Sequence, residues 1–252
     1  MNMKKKIRKF IVRTLAKFNI TPYVYYTYKW NDPFLIKRKL FQNVEDLTIF
    51  DVGAFDGRSI ELYKKSFPKS KIFSFEPTPS VYDVLEKQYE GRNDVKLSNY
   101  ALSSCIGEAT FHVNNSLLTN SLLESSKNEH TSSHNVYNTT EKITVKTNTI
   151  DNFCKTEGIG KINILKIDVQ GADLMVLKGA EQTLDNKKID LIFVEVEFLE
   201  LYEKQPLFHD ISTYLHLKGY QLYNLYNMSI SKEGRLVYGD AVFINSEINH
   251  KI

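Results

Sequence analysis

Short apolar runs recur along the chain at regular intervals, and Gly, Pro, Asp or Asn bounds each of them. Runs of this length that are rich in β-branched and aromatic residues are typical of β-strands. They cover residues 47–52, 71–75, 95–99, 162–168, 189–195, 220–225 and 240–244. The pattern therefore predicts seven strands.

Segments with helical spacing separate most of these runs. They cover residues 58–66, 79–89, 172–184 and about 206–218. Strands that alternate with helices indicate a parallel sheet covered on both faces. The last two runs are separated by a turn signal at Gly234, which favours an antiparallel hairpin. We expect an α/β domain with a seven-stranded, mostly parallel sheet.

The region from 107 to 149 interrupts this alternation. Residues 108–113 and 143–147 alternate between apolar and polar side chains and predict a β-hairpin inserted into the domain. The stretch between them, 114–140, is polar and rich in Ser and Asn. Loops of this length are commonly functional, so the stretch is a candidate lid over a site.

The first 18 residues carry seven Lys or Arg and no acid, with apolar residues at helical spacing. Residues 4–18 therefore predict a basic amphipathic helix, which either covers the domain or contacts an anionic membrane surface. The aromatic residues of 23–30 either pack on the domain, form a homodimer contact or stack on a sugar. We expect a helical extension over residues 1–45 and one domain over 46–252.

Charge and cysteine content restrict the class of protein. Subtracting the seven N-terminal cations from the net charge of +3 leaves −4 for the rest, which argues against a nucleic-acid-binding face. Cys105 and Cys154 form no CxxC pattern, so we predict two reduced thiols and neither a disulfide nor a zinc cluster. No run reaches the roughly 20 apolar residues that span a bilayer. These features predict a cytoplasmic protein, with peripheral contact at the inner membrane surface left open.

The strongest chemical signal is DVGAFDG at residues 51–57, where a strand ends in Gly53 and a helix opens after Gly57. Glycines let the backbone approach a ligand, and a helix N-terminus offers free N–H groups. Glu76 follows 25 residues after Asp51, at the end of the next strand, where an acid can hold ribose hydroxyls. This pattern predicts a nucleoside-containing cofactor.

The cofactor could be NAD or S-adenosylmethionine. A dinucleotide site uses G-x-G-x-x-G, whereas this turn lacks the middle glycine and carries Phe55 instead. Asp51 and Asp56 would repel a diphosphate and attract a sulfonium and an ammonium group. The turn therefore favours S-adenosylmethionine, and an NAD-dependent enzyme stays as a weaker alternative.

Seven stretches of the chain resemble the FkbM-type methyltransferases in the family's order, between about residues 47 and 198. They are DVGAFDG (51–57), FEP (75–77), NYALSS (99–104), GEATFHV (107–113), TNTIDNF (147–153), ILKIDVQGAD with VLKGA (164–180) and IFVEVEF (192–198). The resemblance implies a Rossmann-like class I fold and methyl transfer from S-adenosylmethionine, typically to a hydroxyl oxygen. Many members of the family accompany glycan or polyketide genes, so the implied acceptor is a sugar hydroxyl on a glycan or glycolipid precursor.

The resemblance also assigns residues to the cofactor. Gly53 and Gly57 would line its methionine part, Asp51 its ammonium group and Glu76 its ribose. Ala101 and Leu102 would lie near adenine, and Ala54 belongs to the same turn. The turn departs from the commoner GAN pattern of the family at Ala54-Phe55-Asp56, which leaves the roles of Phe55 and Asp56 open.

Asp168 and Glu195 end the fourth and fifth strands, beyond which ligands bind in open α/β sheets. They are our candidates for the general base, together with His209 in the following helical segment. Three readings stay open for the carboxylates: base or positioning work, a Mg²⁺ site at Asp168 and Glu195, or capping of the next helix by Asp168. A non-catalytic cofactor-binding scaffold is the alternative to an enzyme.

Overall fold

The structure is a computed structural model that describes residues 32–128 and 135–248. The chain divides into two compact units, residues 1–42 and 43–251. The described part of the first is helix α1 (Pro33–Leu40), which begins where the Asp32 carboxylate accepts a hydrogen bond from Phe34 N at 2.9 Å. The predicted basic helix of residues 4–18 and the aromatic segment 23–30 lie outside the described residues. The predicted boundary at residue 45 stays a prediction.

The second unit contains two sheets and six helices within its described residues. The strands are β1 (Thr48–Val52), β2 (Lys71–Phe75), β3 (Val95–Ser98), β4 (Ala101–Leu102), β5 (Gly107–Asn114), β6 (Thr139–Asn148), β7 (Ile162–Ile167), β8 (Ile189–Glu197), β9 (Tyr220–Tyr226) and β10 (Tyr238–Asn245). The helices are α2 (Arg58–Ser66), α3 (Pro79–Gln88), α4 (Ile150–Glu157), α5 (Asp173–Lys178), α6 (Glu181–Asp185) and α7 (Phe208–Leu217).

The main sheet has seven strands in the order β3-β2-β1-β7-β8-β10-β9. The pairs from β3 to β8 are parallel, and β10 runs antiparallel to both of its neighbours. The strand order reverses between β1 and β7, which creates the crevice where such sheets bind ligands. The predicted mostly parallel, seven-stranded sheet is confirmed.

The central strands are apolar on both faces because helices cover both sides of a parallel sheet. Ile49 and Phe50 of β1 and Leu165 of β7 have no exposed surface. Phe153 of α4 meets the Phe50 and Phe75 rings edge-on, with centroids 5.5 and 5.0 Å away. This aromatic contact fixes α4 beneath the ends of β1 and β2.

Helix α4 is an element that the strand and helix patterns missed. Thr149 caps it by accepting a hydrogen bond from Asn152 N at 3.1 Å, and Gly158 ends it in the left-handed conformation. Both are ordinary helix-end signals. The helix is short and directly follows a strand, which hides its period in the sequence.

The predicted single helix over 172–184 is wrong, because the segment forms α5 and α6 with a break at Gly179. A Cβ atom at Gly179 would lie 2.0 Å from the Ser103 carbonyl oxygen, so the close approach of β4 leaves no room for a side chain. The Asp151 carboxylate accepts hydrogen bonds from Gln182 N and Thr183 N, both at 2.9 Å. These bonds start a new helix where the first one ends.

The inserted hairpin is confirmed and forms part of a separate sheet. β5 and β6 pair antiparallel from Gly107↔Thr147 onward, and β4 adds a short parallel strand to β6. Phe111 and Val145 are buried in its small core. We define the cover segment as residues 115–128, the described chain that follows β5 and includes a 3₁₀ turn at Leu117–Thr119.

Candidate functional site

The turn after β1 lies directly against the end of β7. Gly53 has φ +78°, and a Cβ atom there would lie 2.0 Å from the Asp168 carbonyl oxygen. Asp168 N donates to Val52 O at 3.1 Å and Gly53 N to Phe75 O at 3.0 Å. Because three strand ends meet at this point, only glycine fits the turn, and its backbone stays open toward the crevice.

Glu76 is fixed at the end of β2 by backbone donors. Its carboxylate accepts hydrogen bonds from Phe55 N at 3.0 Å and from Thr78 N at 2.8 Å. Burial raises the pKa of Glu76, and the hydrogen bonds from Thr78 and Phe55 act in the opposite direction. Phe55 itself has φ +46°, an unusual conformation for a residue with a side chain. The carboxylate is thus held in place before any ligand arrives.

A cleft with about 710 Å³ of empty space, including its open mouth, extends from this turn. It brings together five of the predicted site residues: Gly53, Glu76, Ala101, Leu102 and Asp168. Its other lining residues are mostly apolar, and the polar ones carry hydroxyl or amide groups: Val52, Phe55, Phe75, Pro77, Thr78, Tyr100, Phe111, Leu117, Leu118, Asn120, Leu122, Val169 and Gln170. The cover segment therefore forms one wall of the cleft.

The other predicted residues do not line this cleft. Ala54 is buried beside the turn, and Gly57 packs against the Tyr89 hydroxyl, which donates to Gly57 O at 3.2 Å. His209 lies on α7 with 75% of its side chain exposed, 3.5 Å from Asp210. The roles that we predicted for these residues stay predictions.

Asp51 is fully buried beneath the turn, and Lys166 compensates its charge. Asp51 Oδ2 accepts hydrogen bonds from Ser59 Oγ at 2.6 Å and Ser74 Oγ at 3.2 Å, while Oδ1 lies 3.3 Å from Lys166 Nζ. From the sequence, Asp51 is expected to present an open negative charge to a cationic ligand. That premise is wrong, because an ion pair neutralises it.

Lys166 connects the two sides of the crevice. Its ammonium donates to Gly53 O at 2.6 Å and to Val52 O at 3.2 Å, and it lies 3.8 Å from Asp168 Oδ2. Burial alone would lower the pKa of Lys166, but the attraction of Asp51 and Asp168 outweighs it and the pKa is raised. Sequence reasoning missed this residue, although a lysine inside the apolar run INILKI was a usable signal.

Asp168 stands at the cleft with 44% of its side chain exposed. The Gln170 amide nitrogen donates to Asp168 Oδ1 at 3.1 Å and to Glu195 Oε2 at 2.6 Å. Glu195 contacts the site through this amide. It lies behind the amide and does not line the cleft. The predicted pair of carboxylates thus shares one partner, and Gln170 is a second residue that sequence reasoning missed.

The helix-capping interpretation of Asp168 is wrong, because α5 has Ala172 at its N-cap and no side-chain cap hydrogen bond. The Asp173 carboxylate accepts hydrogen bonds from Gly171 N at 3.1 Å and Val169 N at 3.4 Å. Burial and then the nearby Asp168 raise the pKa of Asp173 to about 7. Burial also raises the pKa of Glu195 and of Glu197 well above the ordinary value. A group of buried acids therefore lies behind Asp168.

The described residues give no support to the predicted Mg²⁺ site. Across residues 32–128 and 135–248, no group of three or more His, Cys, Asp or Glu side chains could hold a metal ion. At the predicted ligands, the amide nitrogen of Gln170 lies within hydrogen-bond distance of both Asp168 and Glu195. A hydrogen-bond donor at that position opposes a cation.

Comparison with known proteins identifies the chain's family. The model of the methyltransferase FkbM domain matches residues 51–222, which is more than half of the chain. The chain belongs to the FkbM methyltransferase family. It is therefore an enzyme of the predicted kind, an O-methyltransferase that uses S-adenosylmethionine, and the NAD alternative is not supported.

The names of two relatives describe the methyl transfer that each carries out, by position or by substrate. The 2-O-methyltransferase NoeI of Sinorhizobium fredii is 30% identical over 167 residues, which is 64% of this chain and 67% of that protein. The hexuronic acid methyltransferase AglP of Haloferax volcanii is 29% identical over 163 residues, which is 64% of this chain and 61% of that protein.

Among solved structures, the magnesium protoporphyrin IX methyltransferase of Synechocystis PCC 6803 with bound S-adenosylmethionine aligns at TM-score 0.46 and 11% identity. That alignment covers 84% of this chain and 77% of that one.

The residues of the cleft fit S-adenosylmethionine. Its adenosine needs a ribose acceptor and an apolar adenine slot, and Glu76 and the Ala101–Leu102 strand, which line the cleft, are the residues that would hold it. Its amino acid part needs backbone close by, and Gly53 lines the same cleft. When bound, the cofactor supplies a methyl group activated by a positively charged sulfur.

Proposed function

We propose that this chain transfers the methyl group of S-adenosylmethionine to a sugar hydroxyl on a glycan or glycolipid precursor. The observation that carries the proposal is the position of the Asp168 carboxylate, which stands half-exposed in the same cleft as Gly53 and Glu76. The name of AglP, a hexuronic acid methyltransferase, supports a sugar acceptor, and that of NoeI, a 2-O-methyltransferase, supports transfer to an oxygen.

The proposed reaction is a direct displacement. The acceptor oxygen forms a bond to the methyl carbon as the carbon–sulfur bond breaks, and the hydroxyl proton passes to Asp168. In such a step the protein contributes mainly by alignment of the reacting atoms. Removal of the proton adds a further contribution, and Asp168 is our candidate for it because Glu195 lies behind Gln170.

Calorimetric titration is the first test of the cofactor site. We expect the protein to bind S-adenosylmethionine and S-adenosylhomocysteine and not NAD, and Glu76→Ala to weaken binding by about 10- to 100-fold because hydrogen bonds to a carboxylate are lost. Glu90→Ala on the exposed surface is the matched control. Equal binding by Glu76→Ala would refute the assignment of Glu76.

Methyl transfer tests the acceptor class. The wild type and Asp168→Asn would be incubated with labelled S-adenosylmethionine and a panel of free, oligomeric and lipid-linked sugars. We expect transfer to one class of these and a loss of about 10²- to 10⁴-fold in kcat for Asp168→Asn, since a general base contributes that much. Tight cofactor binding with no transfer to any sugar would favour the scaffold alternative.

A lipid-linked acceptor would give the basic segment of residues 4–18 a function at a membrane surface. Among the described residues, no helix is long and apolar enough to cross a bilayer. Flotation with vesicles containing anionic lipids tests this part of the proposal. We expect the full chain to float with the vesicles and the chain lacking residues 1–20 to remain behind. Equal behaviour of the two would refute it.

A further inference from the structure

The turn after β7 contains a residue in an unusual backbone conformation. Gln170 has φ +57°, and five residues other than glycine have positive φ in the described chain. Two of them, Phe55 and Gln170, line the cleft. Backbone strain persists where surrounding contacts hold it in place, and it concentrates at functional sites. The contacts of Gln170 therefore need an explanation.

The Gln170 side chain uses both of its amide hydrogens and its amide oxygen in hydrogen bonds. Its amide nitrogen donates to Asp168 Oδ1 at 3.1 Å and to Glu195 Oε2 at 2.6 Å. Its amide oxygen lies 3.1 Å from the Tyr202 hydroxyl, which donates to it. Carboxylates accept hydrogen bonds and a hydroxyl can donate one, so these partners determine the orientation of the amide.

The backbone of the same residue is tied to the cover segment. The Gln170 carbonyl accepts a hydrogen bond from Ser121 Oγ at 2.7 Å. The Tyr202 hydroxyl also lies 3.0 Å from Thr119 O, so it faces Gln170 and the cover segment at once. A Cβ atom at Gly171 would lie 2.8 Å from the Tyr202 ring, which shows how closely the ring packs on the turn. Gln170 thus joins the strand end, Tyr202 and one wall of the cleft.

We propose that Gln170 is a positioning residue for methyl transfer. Its side-chain amide holds the Asp168 carboxylate toward the cleft. Its backbone carbonyl, together with Tyr202, holds the cover segment in place beside that carboxylate. The inference rests on the proposed role of Asp168 as proton acceptor. Gln170 does not need to touch the reacting atoms, because it acts through Asp168.

The physical reason is the freedom of a half-exposed carboxylate. Without Gln170, one oxygen of Asp168 would lose its donor, while the other would keep only the Lys166 ammonium at 3.8 Å. The carboxylate could then rotate away from the acceptor. A misplacement of about 1 Å can cost on the order of 10²-fold in rate.

The decisive variant is Gln170→Glu, which keeps the length of the side chain and an oxygen for Tyr202. It places a carboxyl group where the amide donated to two other carboxyl groups. We expect kcat to fall by about 10²-fold, with the affinity for S-adenosylhomocysteine unchanged, because the variant leaves Gly53 and Glu76 untouched. The exposed Gln182→Glu is the matched control and should leave kcat unchanged.

A second variant separates side chain from backbone. Gln170→Gly tolerates the positive φ and keeps the carbonyl that Ser121 contacts, but it has no amide side chain. We expect it to lose kcat as Gln170→Glu does while its Tm stays at or above that of the wild type. If either variant keeps wild-type kcat, or if the loss lies entirely in cofactor affinity, the inference is overturned.

Hydrogen exchange provides a readout that does not need an acceptor. His112 N and Ser121 N donate to each other's carbonyl oxygens at 2.8 and 3.2 Å, which ties the cover segment to β5. Tyr202→Phe should accelerate exchange of these two amides, since it removes the hydroxyl that joins Thr119 to Gln170. Unchanged exchange would overturn the coupling.

The two proposals can fail separately. If the wild type binds S-adenosylhomocysteine but methylates no sugar, the proposed acceptor class fails, and the exchange experiment still decides whether Gln170 and Tyr202 hold the cover segment. If the wild type methylates a sugar and Gln170→Glu equals it, the proposed function stands and the inference fails.

Discussion

The two sides of the cleft are built in different ways. On the cofactor side, formed by the ends of β1 and β2, main-chain N–H groups fix Glu76, and Gly53 lets the turn approach the Asp168 carbonyl closely. On the carboxylate side, formed by the ends of β7 and β8, the carboxylates are held by hydrogen bonds from another side chain. Gln170 donates such bonds to Asp168 and to Glu195. The first side is a local property of two turns. The second depends on residues that are distant in sequence, so single substitutions should act on it differently.

The largest effect should come from Gly53→Ala on the cofactor side. The new Cβ atom would lie 2.0 Å from a backbone carbonyl in a conformation that also strains alanine. We expect a loss of about 4–5 kcal/mol in the free energy of unfolding, measured in urea, together with loss of cofactor binding.

Gly91→Ala is the control for that experiment, since Gly91 has a similar φ of +74° and no neighbouring atom within 4 Å of the Cβ position. It should cost about 1 kcal/mol from backbone strain alone. Equal losses at the two glycines would show that the close approach to Asp168 contributes nothing.

Lys166→Met should disturb both sides together, because Lys166 lies between Asp51 and Asp168. The variant leaves the Asp51 carboxylate buried without a cation, and we expect a loss of about 3 kcal/mol in the free energy of unfolding. Combining it with Asp51→Asn should recover part of that loss. Lys96→Met is the control, because its ion pair with Glu157 is exposed and contributes about 0–1 kcal/mol.

The buried acids on the carboxylate side lead us to expect that the stability of the fold depends on pH. Folding raises the pKa of Asp173 from 3.8 to about 7, and burial also raises the pKa of Glu197. The folded state keeps protons that the unfolded state releases, so this contribution to stability is complete below about pH 4 and is lost as the pH rises toward and above 7. We expect stability to fall over that range.

Glu197→Gln tests the origin of this pH dependence, since it imitates the protonated acid at every pH. Its Tm should be about 2–4 °C above that of the wild type at pH 8, corresponding to about 1 kcal/mol, and the difference should shrink at pH 5. Glu90→Gln on the exposed surface is the control. A constant difference between pH 5 and pH 8 would exclude Glu197 as a source.

The smallest effect should come from His209→Ala, at the third residue that we predicted as a candidate base. Its side chain is 75% exposed and lies outside the cleft. We expect kcat to change by less than about twofold, as for an ordinary surface substitution. A loss comparable to that of Asp168→Asn would mean that the acceptor extends to α7, and it would restore His209 as the candidate base.

The cofactor side could be predicted from the sequence because its signals are local. A glycine turn after an apolar run and an acid ending the next run identified Gly53 and Glu76, and the matched stretches placed Ala101 and Leu102 beside them. Reasoning from charge failed at Asp51, because Lys166 lies 115 residues away in the sequence and its position next to Asp51 follows from the pairing of β1 with β7.

The sequence by itself determined the family, the alternation of strands and helices, and the order of the main elements, since periodicity and turn residues act over a few positions. Tertiary structure alone decided which acids face the cleft. It placed Asp168 in the cleft, Glu195 behind Gln170, and Tyr202 between that glutamine and the cover segment. The reason is that burial and hydrogen-bond partners depend on which strand ends become neighbours, and sequence spacing does not record this.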